Sequence, residues 1–153
     1  MIPEPNPHFE AAPTWVAVGA LLVFRPVRPS YTAGFALQSL RVHVADHLLR
    51  RLAVTDRTLE AHYGGFVLSE ARRMPDEARR LALHVSYGRD ARAERIAGHD
   101  ARVYELGPEP APDDIDGRPP SVVVWHDAEM FYLIASDSLA AERLTRIARS
   151  MYV

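Results

Sequence analysis

The stretch VVVWHDAEMFYLIAS, residues 122–136, decides the fold. It holds two apolar runs, 121–125 and 130–136, which are separated by the four residues 126–129. The Asp in this connection favours a turn, because its side chain can bond nearby backbone N–H groups. A short connection forces the two strands to pair antiparallel, since parallel pairing needs a long crossover. Both runs are almost continuously apolar, so we expect both strands to be central, with both faces covered.

Other segments alternate with a period of two and predict further strands. In TLEAHYGGFVLSEARR, residues 58–73, apolar and polar residues alternate up to Gly64-Gly65, which we expect to supply two positive-φ turn positions. RIAGHDARVYEL, residues 95–106, reads as a second hairpin with Gly98 at its corner. Residues 39–44 and 81–87 also alternate, and each is predicted to be a strand.

The last segment, residues 138–151, is predicted to be an amphipathic helix. Ser138 is the expected N-cap. The apolar stripe falls at helical spacing and consists of Ala140, Leu144, Ile147, Ala148 and Met151. Because short turns join the strands, the sequence predicts an α+β fold: an antiparallel sheet of about six to eight strands with the C-terminal helix packed on one face.

The domain organisation follows from composition. Residues 1–13 contain four prolines and are expected to form an extended or mobile arm, with residues 14–153 as a single α+β domain. Residues 15–24 and 45–57 fit either a helix or a strand. Residues 107–120 form a loop with five prolines and four acids, which explains its unusual length.

Charge and cysteine content exclude several classes of protein. The net charge of −2 provides no field that would attract nucleic acid or an anionic membrane. All eighteen basic residues are Arg, which indicates a high-GC genome. The absence of Cys excludes disulfides, thiol nucleophiles and zinc–thiolate sites. The longest apolar run has ten residues, too few to cross a bilayer, so we expect no membrane insertion.

Two His-Asp pairs, His99-Asp100 and His126-Asp127, are the first candidates for chemistry. Such pairs are typical of metal-dependent hydrolases, but both fall at predicted hairpin corners, where Asp serves the turn. His43 and His47 have helical spacing, yet on a strand they would stand about 13 Å apart, too far for one ion. We therefore predict no metal site, no cofactor and no catalytic residues.

Aromatic residues are the second candidates. Most aromatics on predicted strands belong to a core. Where a few line a concave face under the helix, they form an apolar ligand pocket. The predicted lining consists of Tyr87, Tyr104, Trp125 and Tyr132.

The order of segments from residue 95 onward resembles a bacterial domain family of unknown function. That family occurs on the outer side of membrane-anchored proteins, including anti-sigma-factor-like regulators and lipoproteins. The features that match are a Gly-ended strand, an aromatic strand, a Trp-containing hairpin and a final helix, carried here by Gly98, Ala101, Tyr104, Trp125, Tyr132, Leu144, Ile147, Ala148 and Ser150. With the entry FRPVRPSYTAGFAL, residues 24–37, the resemblance covers about two thirds of the chain.

Three functions follow as hypotheses. The first is a non-catalytic binding or sensory domain, extracytoplasmic where the chain is part of an anchored protein, with a protein or a small apolar ligand as its partner. The second is a cytoplasmic interaction domain that forms a homodimer through an edge strand. The third is a metal-dependent hydrolase that uses His99 or His126, and it requires the imidazoles and their acids to converge in one cleft.

Overall fold

The computed structural model describes residues 9–12, 14–22, 24–43, 58–72, 91–109, 111–113 and 117–153. Within these ranges the chain forms eight strands and two helices. The strands are β1 (Phe9–Ala12), β2 (Leu37–His43), β3 (Thr58–Tyr63), β4 (Val67–Arg72), β5 (Arg92–Ile96), β6 (His99–Tyr104), β7 (Ser121–His126) and β8 (Met130–Ser136). The helices are α1 (Trp15–Gly19) and α2 (Ala141–Ser150).

The strands form one antiparallel sheet in the order β1-β2-β3-β4-β8-β7-β6-β5. The prediction that 121–125 and 130–136 are central is confirmed, because β7 and β8 have paired strands on both sides. Every residue from Ser121 to Trp125 is buried, so both faces of β7 are covered. The period of two also places Leu40 and Val42 of β2 in the core, as predicted.

Helix α2 packs on one face of this sheet, against β7, β8 and β5. Its buried residues include Leu144, Ile147 and Ala148, as the predicted stripe required. The expected start was wrong: the N-cap is Ala140, which has no capping side chain, and Ala141 takes the buried place. The Ser138 hydroxyl therefore does not cap the helix.

A second, smaller apolar cluster occupies the opposite face of the sheet. It consists of Tyr104, Val122, Val124 and Phe131, with Leu133 and Ala135 partly buried against it. The residues of β7 alternate between the two clusters, since Val123 and Trp125 belong to the helix-bearing face. The sheet thus separates two sets of side chains, and only one of them faces α2.

The β3–β4 hairpin forms where it was predicted, but its glycines serve another purpose. The positive-φ glycines of the described residues are Gly34, Gly98 and Gly117, so the expected positive φ at Gly64 and Gly65 was wrong. A Cβ on Gly65 would lie 2.5 Å from the Phe35 ring. A side chain at position 65 would therefore displace that ring, whereas Gly98 lies at the corner where it was predicted and has a positive φ.

The structure describes parts of the segments whose conformation the sequence left open: residues 15–24, the N-terminal arm and the 107–120 loop. Residues 15–19 are helical, and the Thr14 hydroxyl accepts the Ala17 N–H at 3.0 Å. Residues 9–12 of the predicted arm are extended and pair with β2. The base of the 107–120 loop is closed by a hydrogen bond from the Gly107 N–H to the Pro119 carbonyl. The predictions for residues 45–57 and for a strand at 81–87 lie outside the described residues. Within the described ranges, neither helix is long and apolar enough to span a membrane.

Candidate functional site

A cleft of about 780 Å³ opens on the helix-bearing face of the sheet. One wall is the segment Phe24–Arg28, which we call the strap. The other wall and the floor come from the ends of three strands and from the β7–β8 corner: Arg72, His99, Asp127, Ala128, Glu129, Met130 and Tyr132. β4 ends at this cleft, and β6 and β8 begin there. Polar side chains at these strand ends therefore lie at the edge of an otherwise apolar face.

The strap has neither helix nor strand structure. Pro26 has no backbone N–H, and Pro29 follows directly after the strap, so this stretch offers few donors for regular hydrogen bonding. The Val27 N–H donates to Glu70 Oε1 at 2.8 Å. The Arg28 guanidinium lies over the Trp15 ring, 5.8 Å from its centroid. The strap is thus attached to β4 by a backbone-to-carboxyl hydrogen bond.

Glu70 is fully buried at 0% exposure. The period of two places it on the same face as Leu68, and it pairs in register with Leu59 of β3 and Tyr132 of β8. Its Oε2 has no hydrogen-bond partner among the described residues. Burial raises the pKa of the Glu70 carboxyl to about 8, although the Val27 N–H acts in the opposite direction. At neutral pH the group is therefore mainly protonated and uncharged.

Three aromatic side chains form a cluster beside the cleft. The Trp125 and Tyr132 rings stack with centroids 5.0 Å apart. The Trp125 Nε1–H donates to the Tyr152 hydroxyl at 2.8 Å, and the Tyr152 ring meets Tyr132 edge-on. Burial is the main cause that raises the pKa of both tyrosines, and the Asp127 carboxylate adds to it. Both hydroxyls therefore stay protonated at every pH near neutrality.

The β7–β8 corner confirms the turn interpretation of Asp127. Its Oδ1 accepts the N–H groups of Glu129 and Met130 at 2.9 and 2.8 Å. Its Oδ2 accepts from the Tyr152 hydroxyl at 3.5 Å. Asp127 therefore shapes the turn with one oxygen and orients the aromatic cluster with the other.

The first His-Asp pair lies differently with respect to its corner. Ala97 and Gly98 make the turn, so the prediction that Asp100 lies at the corner was wrong. Asp100 lies within β6. Asp100 Oδ1 accepts from the Arg95 guanidinium at 3.0 Å. His99 lines the cleft and packs against Tyr152, with ring centroids 5.7 Å apart. One member of each pair, His99 and Asp127, therefore borders the same cleft.

The structure brings together only part of the predicted aromatic pocket. Trp125 and Tyr132 are neighbours on the helix-bearing face, and Tyr132 lines the cleft. Tyr104 lies in the cluster on the opposite face, so it is not part of this cleft. Tyr87 lies outside the described residues. In the described ranges, no group of three His, Cys, Asp or Glu side chains is placed to hold a metal ion.

Sequence reasoning missed two features of the site: the buried carboxyl of Glu70 and the arginines of the strap. The alternation from Leu68 to Glu70 contained the signal for the first, because a carboxylate in phase with buried residues must face the core. The sequence contained no local signal for the second, because the position of the strap over the sheet depends on contacts with residues far away in the chain, such as Glu70.

The chain matches no family model, no curated protein and no solved structure in the comparisons made. The resemblance described from the sequence therefore stays a prediction.

Proposed function

We propose that the chain is a non-catalytic binding domain whose cleft takes a small amphipathic anion. The observation that carries the proposal is the pairing of an apolar floor with a basic wall in one cavity. Met130 and Tyr132 provide apolar surface at the floor. Arg25, Arg28 and Arg72 line the same cavity, and they outnumber the two carboxylates there.

The size and chemistry of the cavity suit a small molecule. Ligand clefts generally have volumes of about 300–1,000 Å³ and combine mostly apolar lining with a few polar groups that fix orientation. A cleft of about 780 Å³ lies inside that range. Guanidinium groups recognise carboxylate, sulfonate and phosphate groups through paired N–H donors. A ligand whose apolar ring or chain packs on Tyr132 and whose anionic group binds the arginines would contact both the apolar and the basic part of the cleft.

The same groups favour binding over hydrolysis. Asp127 uses one oxygen for the turn and the other for Tyr152, so it is poorly placed to act as a base. His99 is the one imidazole among the described residues that line the cleft, and it packs against a tyrosine ring. This arrangement supports the binding hypothesis over the His-Asp hydrolase.

As the resemblance implies, we place this domain in a bacterial regulatory or lipoprotein-like protein on the outer side of the membrane. The test is the compartment of the natural gene product, measured with a fused reporter enzyme that is active only outside the cytoplasm. Reporter activity supports this placement, and its absence with a cytoplasmic reporter active would overturn it without affecting the binding proposal.

The binding proposal is tested with anilinonaphthalene sulfonate, an aromatic anion whose fluorescence rises in apolar surroundings. Ala128 is exposed at the cleft wall, so Ala128→Trp should fill the cavity without entering the core. Ala93→Trp places the same ring on exposed β5, away from the cleft, and is the matched control. We expect saturable one-site binding to the parent and to Ala93→Trp, with a loss of at least about tenfold in affinity for Ala128→Trp. Equal affinity of the three folded proteins, or no saturable binding, would overturn the proposal.

A further inference from the structure

The contact between Glu70 and the strap is unusual because a buried carboxyl is only half satisfied. One oxygen accepts the Val27 N–H at 2.8 Å, and the other has no partner among the described residues. Natural proteins rarely leave such an atom unpaired, since an unsatisfied buried polar group costs about 1–3 kcal/mol. Glu70 adjoins the cleft, because Val27, which donates to its carboxyl, and Tyr132, its partner on β8, both line the cleft.

We infer that Glu70 fastens the strap over the cleft while its carboxyl is neutral, and releases the strap when the carboxyl ionises. This inference rests on the proposed function, since it assigns a control on access to the same cleft. A charged carboxylate needs several hydrogen bonds or water, and the described residues around Glu70 supply one backbone N–H. Moving the strap aside is the shortest way to hydrate the charge, because the strap has no helix or sheet bonding to break.

Several titratable or charged side chains lie around Glu70 and the strap. Arg72 of β4 and His99 of β6 line the same cleft. Tyr63 of β3, Tyr132 of β8 and Tyr152 after α2 each interact electrostatically with Glu70, and burial raises the pKa of each above its usual value, so none of the three tyrosines ionises near neutral pH. The Arg28 guanidinium acts to lower the pKa of Tyr63, whereas the Asp127 and Glu129 carboxyl groups act to raise the pKa of Tyr132. Since the pKa of Glu70 is about 8, the strap should open as the pH rises past that value.

The absence of Cys from the chain allows a direct distance measurement. Arg25 in the strap and Ala128 in the opposite wall are both exposed, so each can be replaced by Cys and labelled with a nitroxide. Pulsed electron resonance then gives the distance across the cleft at about pH 6 and about pH 9.5, on either side of the pKa of Glu70. We expect a shift to longer distances at the higher pH in the parent.

Two variants at Glu70 give opposite expected results. Glu70→Gln keeps an acceptor for Val27 but cannot ionise, so the short distance should persist at both pH values. Glu70→Leu removes the acceptor, so the long distance should appear at both. Glu60→Gln, on β3 and one residue out of phase, is the matched control and should behave like the parent. Circular dichroism at each pH verifies that each variant is folded.

The inference is overturned by an unchanged distance in the parent, or by the same pH response in Glu70→Gln. Should Glu70→Gln fail to fold, Glu70→Leu and the parent still decide the question, because a short distance at both pH values in Glu70→Leu contradicts the role of the carboxyl. Binding of anilinonaphthalene sulfonate is measured separately on unlabelled protein. Loss of that binding with an intact distance response would remove the proposed function and leave the strap mechanism standing.

Discussion

Two regions of the molecule differ in how completely their buried polar groups are hydrogen-bonded: the junction between β8 and α2, and the contact between the strap and β4. At the junction, the Ser136 hydroxyl donates to the Gly65 carbonyl and accepts the N–H groups of Ser138 and Leu139. The buried Ser121 hydroxyl likewise donates to backbone carbonyls. At the strap, one Glu70 oxygen accepts the Val27 N–H, and the other has no partner in the part of the chain that the structure describes. The Ser121 and Ser136 hydroxyls lie on the same sheet face as Glu70 and both have hydrogen-bond partners. The incomplete pairing of Glu70 is therefore a local property of the cleft and not of the fold.

The largest effect is expected where α2 contributes apolar packing to the junction. Leu144 is fully buried between the helix and the sheet. Leu144→Ala should lower the free energy of unfolding by about 2–5 kcal/mol, because it removes buried methyl groups and leaves a cavity. Leu133→Ala is the matched control, since Leu133 is only partly buried on the other face, and it should cost less. Similar losses for the two variants in urea unfolding would contradict the packing of α2 on this sheet.

A smaller loss is expected when the polar side of the junction is broken. Ser136→Ala should lower the free energy of unfolding by about 1–3 kcal/mol, because backbone N–H groups that Ser136 now satisfies lose their partner. Ser138→Ala changes an exposed hydroxyl that does not cap α2, so it should have little effect. Thermal unfolding of both variants measures the difference, and a larger loss for Ser138→Ala would restore the original prediction of a Ser138 cap.

The strap contact should respond to pH, and the junction should not. The pKa of Glu70 is about 8 when folded and near 4.5 when unfolded, so the folded state binds the proton more tightly. The contribution of Glu70 to stability is therefore fully present below about pH 4.5 and is lost as the pH rises to about 8. Glu70→Gln should remove this loss, so its free energy of unfolding relative to that of the parent should rise between about pH 4.5 and about pH 8.

The control for this pH response is Glu60→Gln, because Glu60 lies in the neighbouring strand, is partly exposed and is bonded to His62. Above neutral pH, its stability should change with pH as that of the parent does. A difference in unfolding free energy between the parent and Glu70→Gln that does not change with pH would contradict the raised pKa of Glu70.

Local sequence signals predicted those parts of the fold that depend on neighbouring residues. The Asp127 turn follows from the short side chain of Asp, and the α2 stripe follows from helical spacing at Leu144, Ile147 and Ala148. The predicted start of α2 was wrong because the Ser136 hydroxyl, two residues before Ser138, accepts the N–H groups of Ser138 and Leu139. The helix therefore begins later, at Ala141. Propensity alone does not reveal which of several serines is used.

The site was less predictable because it depends on register and on distant packing. Tyr104 pairs with Val122 and therefore lies on the opposite face from Trp125. That register depends on how the 107–120 loop closes, which the residues of β6 and β7 alone do not determine. Glu70 was in phase with Leu68, but its burial requires the strap to lie over β4. Both parts of the site thus depend on contacts between segments far apart in the chain.

The central claim is that the fold holds Glu70 as a neutral acid beside the cleft. Carbon-detected NMR of the side-chain carboxyls, with the Glu70 signal assigned from its absence in Glu70→Gln, measures the titration of this one group. We predict a midpoint near pH 8, well above the ordinary carboxyl value of 4.5. A Glu70 signal with a midpoint near pH 4.5 would contradict the account.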